Sequence, residues 1–158
     1  FHEPGLGPEH PYGDIIQFFM FISFFTIWGL DSLVFEVFAL SKLVPLFIRV
    51  VLSVLFLFTG GYLVFKSHIV TFGEKEIEEP IKTGVYSLNR HPMYLGGLLF
   101  FLGLTVLTFS ALAFVLWCLM TIIYDRLATY EEKELVRVVG KEYENYRKRV
   151  SKWIPYVI

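Results

Sequence analysis

The sequence predicts an all-α membrane bundle with about four transmembrane helices, a tight C-terminal helical hairpin and a helical tail on the cytosolic side. Three observations carry that expectation. Of 158 residues, 55% are hydrophobic and 18% aromatic, above the roughly 45–50% apolar content of soluble domains. The excess is gathered into blocks long enough to approach bilayer thickness. Lys and Arg fall unevenly between the connections, as in membrane proteins of fixed orientation. A formal net charge of −1 argues against nucleic acid as a partner. The single cysteine, Cys118, lies inside an apolar run and reads as a small buried hydrophobe. It excludes a disulfide framework and a thiolate metal cluster.

The chain reads as one domain over residues 1–158. Residues 1–14 form a solvated or loosely docked arm, rich in Pro and Gly and without the basic start of a signal peptide. His2 and His10 sit in it with no ligand cluster around them. Residues 15–65 hold the first two spans. Ile15 to Leu30 is the first apolar block, and Asp31 and Glu36 then predict a break or an interfacial turn, with Glu36 at headgroup level. Leu43 to Phe65 is the second. Pro45 suits its first turn, Arg49 can snorkel to the nearby surface, and Gly60-Gly61 permits close helix contact.

Residues 66–92 form a polar connection. Glu74, Lys75, Glu76, Glu78 and Glu79 make a solvated face, and Pro80 with its neighbouring glycines argues against a long helix. Residues 93–124 form the hairpin: Met93 to Leu107 and Ala111 to Tyr124 are separated only by Thr108-Phe109-Ser110. Each arm is at the short end of what spans a bilayer. The tail, residues 125–158, begins as a continuation of the fourth helix, with helical spacing of Leu127, Leu135, Val138 and Val139. Gly140 is its cap. A short helix from Lys141 to Val150 presents Tyr143 and Tyr146 on one face, and Trp153, Pro155 and Tyr156 end the chain in an interfacial style.

One side of the expected bundle carries Lys66, Lys75, Lys82, Arg90, Arg126, Arg137, Arg147, Lys148 and Arg149, and the other little beyond Lys42 and Arg49. The polar connection, the tail and both termini are therefore expected on the cytoplasmic side.

The stretch from Gly84 to Gly96 sets Arg90, His91, Tyr86 and Tyr94 at the mouth of an apolar run, where such groups are costly unless they bind something. Counting outward from Phe109, Met93 and Asp125 lie at about the same depth, and Glu131 sits roughly 9 Å beyond Asp125 along the helix. His91, Tyr94, Glu131, Glu132 and the Tyr143/Tyr146 face thus gather around one mouth, over a span that suits a nucleotide-sized ligand. One histidine beside dispersed carboxylates is a poor metal set, so no metal is expected, and no Gly-rich phosphate loop is present. Taken singly, Arg90 is equally a topology anchor, Pro92 a helix start, Tyr94 a belt aromatic and Glu131-Glu132 a solvated face.

Two pieces of the chain resemble the isoprenylcysteine carboxyl methyltransferases and their relatives, the phospholipid N-methyltransferases. The first is Thr83-Gly84-Val85-Tyr86 followed by Arg90-His91-Pro92-x-Tyr94-x-Gly96. The second is Glu131-Glu132-x-x-Leu135, then Gly140-x-Glu142-Tyr143-x-x-Tyr146-x-x-Arg149-Val150, closing with Pro155. The resemblance implies an integral-membrane enzyme that uses S-adenosylmethionine in a cytosolic-side pocket and takes a lipidic or prenylated substrate from the membrane. It assigns His91, Tyr94, Glu131, Glu132, Tyr143 and Tyr146 to the cofactor site, with Val85 and Tyr86 lining it. Arg90 becomes the electropositive group near the reacting centre, and Glu132 the carboxylate that an amine acceptor would need as base. The prenylcysteine enzymes carry an Arg-Asp-Arg-type run before their acidic cluster. Here Asp125-Arg126 stands in that place with the register shifted, which makes Arg126 the third catalytic candidate. A carboxylate acceptor is already ionised near neutral pH and needs orientation, which an arginine fork supplies. The competing expectations are a phospholipid N-methyltransferase, an NADPH-dependent membrane oxidoreductase of the sterol-reductase type, and a scaffold without catalysis.

Overall fold

Long apolar runs with few helix breakers set the architecture, which is helical throughout the described residues. The structure, a computed structural model, describes residues 10–35, 40–73 and 83–154. His2, Glu36, the Glu74–Lys82 stretch with its six charges and Pro80, and Pro155 and Tyr156 lie outside them.

Helix α1 covers Gly13–Gly29 and continues without a break through a π-helical turn, Leu30–Phe35. The break expected at Asp31 is absent because the wider turn brings its carboxylate inside, where it is 4% exposed and accepts a hydrogen bond from Ser110 Oγ. At the other end of α1, the His10 ring packs edge-on against Tyr130 with centroids 4.7 Å apart, so the described end of the arm docks on the bundle.

Helix α2 covers Leu46–Gly73. The Pro45 carbonyl accepts from the Ile48 and Arg49 amides at 3.1 and 3.2 Å, so Pro45 caps the helix from just outside its first turn. The helix runs well beyond Phe65 into the expected connection. Its polar residues there are satisfied within the fold: Ser67 Oγ donates to the Leu63 carbonyl at 2.7 Å, and Thr71 Oγ1 pairs with the Tyr86 hydroxyl at 2.9 Å.

Helix α3 covers Pro92–Thr108 and helix α4 Ala111–Val139. Among the described residues three segments are long and apolar enough to cross a membrane, Gly13–Val34, Leu46–Thr71 and Ala111–Val139. At 17 residues α3 is apolar but shorter, about 25 Å of rise. The turn between α3 and α4 is as tight as expected. Phe109 takes the left-handed conformation at φ 55°, and Ser110 Oγ accepts from the Ala113 amide at 3.1 Å, capping α4. Away from that turn, however, α3 packs chiefly along α2. Glycine explains the preference. A Cβ at Gly60 would stand 2.6 Å from the Gly96 carbonyl, and one at Gly96 2.8 Å from the Gly60 carbonyl, so the two backbones touch. Gly61 faces open space. Between α3 and α4 large side chains intervene, with Trp117 Nε1 donating to the Leu98 carbonyl at 2.8 Å.

Met20, Phe24, Leu98, Phe101, Ala113, Met120, Tyr124 and Leu127 form the core where α1, α3 and α4 meet. Cys118 is half-buried, less enclosed than expected. Phe18, Phe19, Phe47 and Phe58 project outward, the arrangement of helices whose outer faces meet lipid. At the hairpin end, Trp28 Nε1 donates to the Leu104 carbonyl and to Thr108 Oγ1, both at 3.1 Å, and Ser32 Oγ donates to Thr108 Oγ1 at 2.9 Å. Arg49 does not snorkel freely. Its Nη1 donates to the Leu107 carbonyl at 2.7 Å and closes the C-terminus of α3. Past Gly140, helix α5 covers Lys141–Arg147, ending earlier than Val150, and turns Tyr143 and Tyr146 inward.

Candidate active site

The opposite end of the bundle holds the groups singled out above. Gly84, at φ 58°, allows the chain to fold into a short 3-10 turn, Gly84–Ser87, where a side chain would be strained. That turn buries Val85 and holds Tyr86 from both sides: its hydroxyl pairs with Thr71, and its carbonyl accepts from the Tyr146 hydroxyl at 2.6 Å. The Arg90 amide donates to the Ser151 carbonyl at 3.0 Å, stitching this loop to the tail. His91 then caps α3 and Pro92 occupies its first position, as its fixed φ favours.

Two adjacent glutamates of α4 receive these groups. Arg90 Nε lies 3.2 Å from Glu132 Oε1, an ion pair whose side chains are 11% and 8% exposed. The angle is poor for a hydrogen bond, and Nε has no other acceptor among the described residues. Arg90 Nη1 donates to the Arg147 carbonyl at 3.1 Å. His91 Nε2 is 3.1 Å from the same Glu132 oxygen, while Nδ1 faces Glu131 Oε2 at 3.6 Å, and the Tyr94 hydroxyl donates to Glu131 Oε1. The Tyr94 ring lies nearly parallel to His91, centroids 5.9 Å apart, and stacks on Tyr124 at 4.9 Å. Trp153 leans on His91 at 6.0 Å.

Burial pushes the His91 imidazole below its ordinary range. The hydrogen bond and charge of Glu132 pull it partly back, while Lys152 and Arg90 add to the lowering. His91 is thus neutral near pH 7 and has one N–H to give. When Nε2–H goes to Glu132, Nδ1 presents a lone pair beside Glu131. Burial likewise lifts Tyr86, Tyr143 and Tyr146 above the usual phenol range, with the charge of Glu132 adding to the rise at Tyr143 and Tyr146. All three remain protonated donors.

His91, Tyr94, Glu131, Glu132 and Arg90 are therefore in mutual contact, with Tyr143 and Tyr146 buried behind them. Val85 and Tyr86 form the adjoining wall. Tyr146 spends its hydroxyl on the Tyr86 carbonyl, which makes it a brace for that wall. Arg126 is not part of the cluster. It is exposed on α4 and forms no hydrogen bond or ion pair with any described residue, because the helix turns that position outward.

Several participants escaped the sequence reading. Lys152 Nζ sits 2.5 Å from Asp125 Oδ1 and 2.7 Å from Thr129 Oγ1, and Trp153 Nε1 donates to the same Asp125 oxygen at 3.0 Å. These contacts bind the tail across α4. The sequence placed Trp153 at the interface; its bond to Asp125 and its contact with His91 are set by partners distant in the chain. Asn89, 1% exposed, supports the loop from inside. Among the described residues no three His, Cys, Asp or Glu side chains are grouped as metal ligands.

The family model for phospholipid methyltransferases matches residues 48–142. A methanethiol S-methyltransferase of Crocosphaera subtropica is 32% identical over 136 residues, 84% of this chain and 52% of that protein. The protein-S-isoprenylcysteine O-methyltransferase of Saccharomyces cerevisiae is 36% identical over 96 residues, 58% of this chain and 38% of that protein. A second methanethiol S-methyltransferase, from Pseudomonas deceptionensis, is 33% identical over 101 residues, 56% of this chain and 37% of that protein. The chain thus spans about half, or less, of the length of these curated relatives. No solved structure matches it significantly. With the matched segment running from α2, through the Arg90, His91 and Glu132 contacts, into α5, the chain belongs to the phospholipid methyltransferase family.

Proposed function

We propose that this chain is a membrane methyltransferase using S-adenosylmethionine and acting on an apolar, membrane-embedded acceptor, most like carboxyl methylation of an isoprenylcysteine. The observation that carries the reading is the buried Arg90–Glu132–His91 contact beside Glu131 and Tyr94. The donor set fits the cofactor. Glu131 and the His91 Nδ1 lone pair offer neighbouring acceptors suited to an ammonium or ribose hydroxyls, and the Tyr94–Tyr124 stack offers an aromatic face. When bound, S-adenosylmethionine supplies an electrophilic methyl group, which passes to an acceptor lone pair while the carbon–sulfur electron pair stays on sulfur. The protein's share of such chemistry is orientation and electrostatics.

Arg90 favours an anionic acceptor. Its guanidinium is held against α4 by Glu132 and against the tail by the Arg147 carbonyl, so the positive charge is fixed in place. A carboxylate or thiolate gains from that field, and an ammonium loses. The relatives named for isoprenylcysteine and for methanethiol are both named for acceptors with oxygen or sulfur nucleophiles. An amine acceptor would have to shed a proton first, and the carboxylate nearest Arg90, Glu132, is already engaged by Arg90 and His91. The basic residues concentrated at the site end support an orientation with that end on the cytoplasmic side.

The test is transfer of labelled methyl from S-adenosylmethionine to S-farnesylcysteine, dodecanethiol and phosphatidylethanolamine vesicles in parallel. Transfer to the first or second is expected. Transfer to the amine alone would contradict the argument from Arg90, and no transfer to any would contradict the activity. Arg90→Ala is expected to retain cofactor binding and lose most transfer. Full transfer in that variant would return Arg90 to the role of topology anchor.

A further inference from the structure

The α3–α4 seam holds a polar group that the site described above does not use. Tyr124 is 6% exposed, and its ring stacks on Tyr94 at 4.9 Å. Its hydroxyl forms no hydrogen bond with any described residue, although those of Tyr86, Tyr94 and Tyr146 all do. Ser53 Oγ and Asn89 Oδ1 also lack partners among the described residues, but they are sealed within the fold. The Tyr124 hydroxyl instead lies beside Gly97, which is half-exposed. A Cβ added at Gly97 would meet that oxygen at 3.8 Å and nothing else within 4 Å, so the glycine borders open space. On α4, Tyr124 precedes Glu131 by seven residues, which puts its backbone about 10 Å deeper toward the apolar middle of the bundle.

At that depth a bare hydroxyl is costly, and the side of it that faces Gly97 is not closed by any other atom within 4 Å of an added Cβ. The α3–α4 seam is also the looser side of α3, whose other side is closed by the glycine contact with α2. We propose that the Tyr124 hydroxyl, through the gap left by Gly97, donates a hydrogen bond to the anionic head of the methyl acceptor and sets it between the apolar seam and Arg90. The proposal rests on the methyltransferase reading and adds to it the group that holds the acceptor. The ligand class is a carboxylate or thiolate on a long apolar body. The stack on Tyr94 links the two halves of the site, since Tyr94 donates to Glu131 while Tyr124 faces the seam.

The experiment measures the dissociation constant for S-farnesylcysteine by equilibrium dialysis in detergent, the dissociation constant for S-adenosylmethionine separately, and KM and kcat for transfer. Tyr124→Phe keeps the ring and its stacking. It is expected to raise the S-farnesylcysteine dissociation constant and KM about tenfold, with S-adenosylmethionine affinity within about twofold. Gly97→Leu fills the gap and is expected to abolish S-farnesylcysteine binding with cofactor binding intact, while Gly97→Ala is tolerated. Unchanged acceptor binding in Tyr124→Phe would overturn the inference and leave the methyltransferase reading standing. A parallel loss of cofactor affinity would also overturn it, by placing the hydroxyl on the cofactor side. If the unaltered protein binds S-adenosylmethionine but not S-farnesylcysteine, the inference fails alone. If it binds neither, the functional reading fails with it.

Discussion

The two ends of this bundle bury polar groups in opposite ways. At the hairpin end, Asp31, Arg49, Trp28 and Ser110 meet helix termini and hydroxyls; Arg49 and Ser110 close backbone groups that the turn leaves open, and Ser110 also donates to Asp31. At the other end, Arg90, His91, Glu131 and Glu132 converge from separate elements on one another, with an Arg90 Nε that lacks a proper acceptor and a histidine held neutral. The first pattern completes a fold. The second gathers charged and titratable groups in one buried place, the arrangement expected of a binding site under the proposed function.

Substitutions at the two ends should therefore separate binding from stability. The largest expected effect is at the site: Glu132→Gln keeps the shape but removes the charge between Arg90 and His91, and should weaken S-adenosylmethionine binding about 100-fold. Calorimetric titration checks this, with helical content by circular dichroism confirming the fold. Between the ends, Gly60→Ala drives a methyl group into the Gly96 carbonyl and should cost about 1–3 kcal/mol of stability, read as a lower Tm in detergent. At the hairpin end, Ser110→Ala removes the α4 cap and one donor to Asp31. It should cost about 1 kcal/mol and leave cofactor affinity unchanged. A change in affinity with Ser110→Ala would erase the distinction between the ends.

The smallest effect is a pH dependence. His91 titrates lower in the fold than in the unfolded chain, so above about pH 6.5 it is neutral in both and its contribution to stability is complete. As pH falls through that value the unfolded chain takes up the proton first, and stability declines until the lowered folded pKa is passed. Tm measured from pH 8 to pH 5 should fall more steeply for the unaltered protein than for His91→Gln. Parallel curves would remove the buried, neutral histidine from the account.

Much of this was legible in the chain. Apolar blocks located the helices, the three-residue turn fixed the hairpin, and depth counted from Phe109 brought His91 and Tyr94 to Glu131 and Glu132, as the contacts bear out. What escaped was decided by contacts between distant segments. The extended end of α2 is where Thr71 pairs with the Tyr86 hydroxyl, and the fate of Asp31 is set by Ser110, 79 positions away. The principal partner of α3 followed from Gly60 meeting Gly96, where Gly60-Gly61 had given only the possibility of close contact. Arg126 was placed by register against a motif, and one residue of helical register is enough to turn a side chain out to solvent.

Titration of the detergent-solubilised protein with S-adenosylmethionine, and separately with NADPH, tests the central claim most directly. The account predicts saturable binding of S-adenosylmethionine, its loss in both Glu131→Ala and His91→Ala with the helical fold retained, and no binding of NADPH. Saturable NADPH binding, or S-adenosylmethionine binding undiminished in both variants, would contradict it.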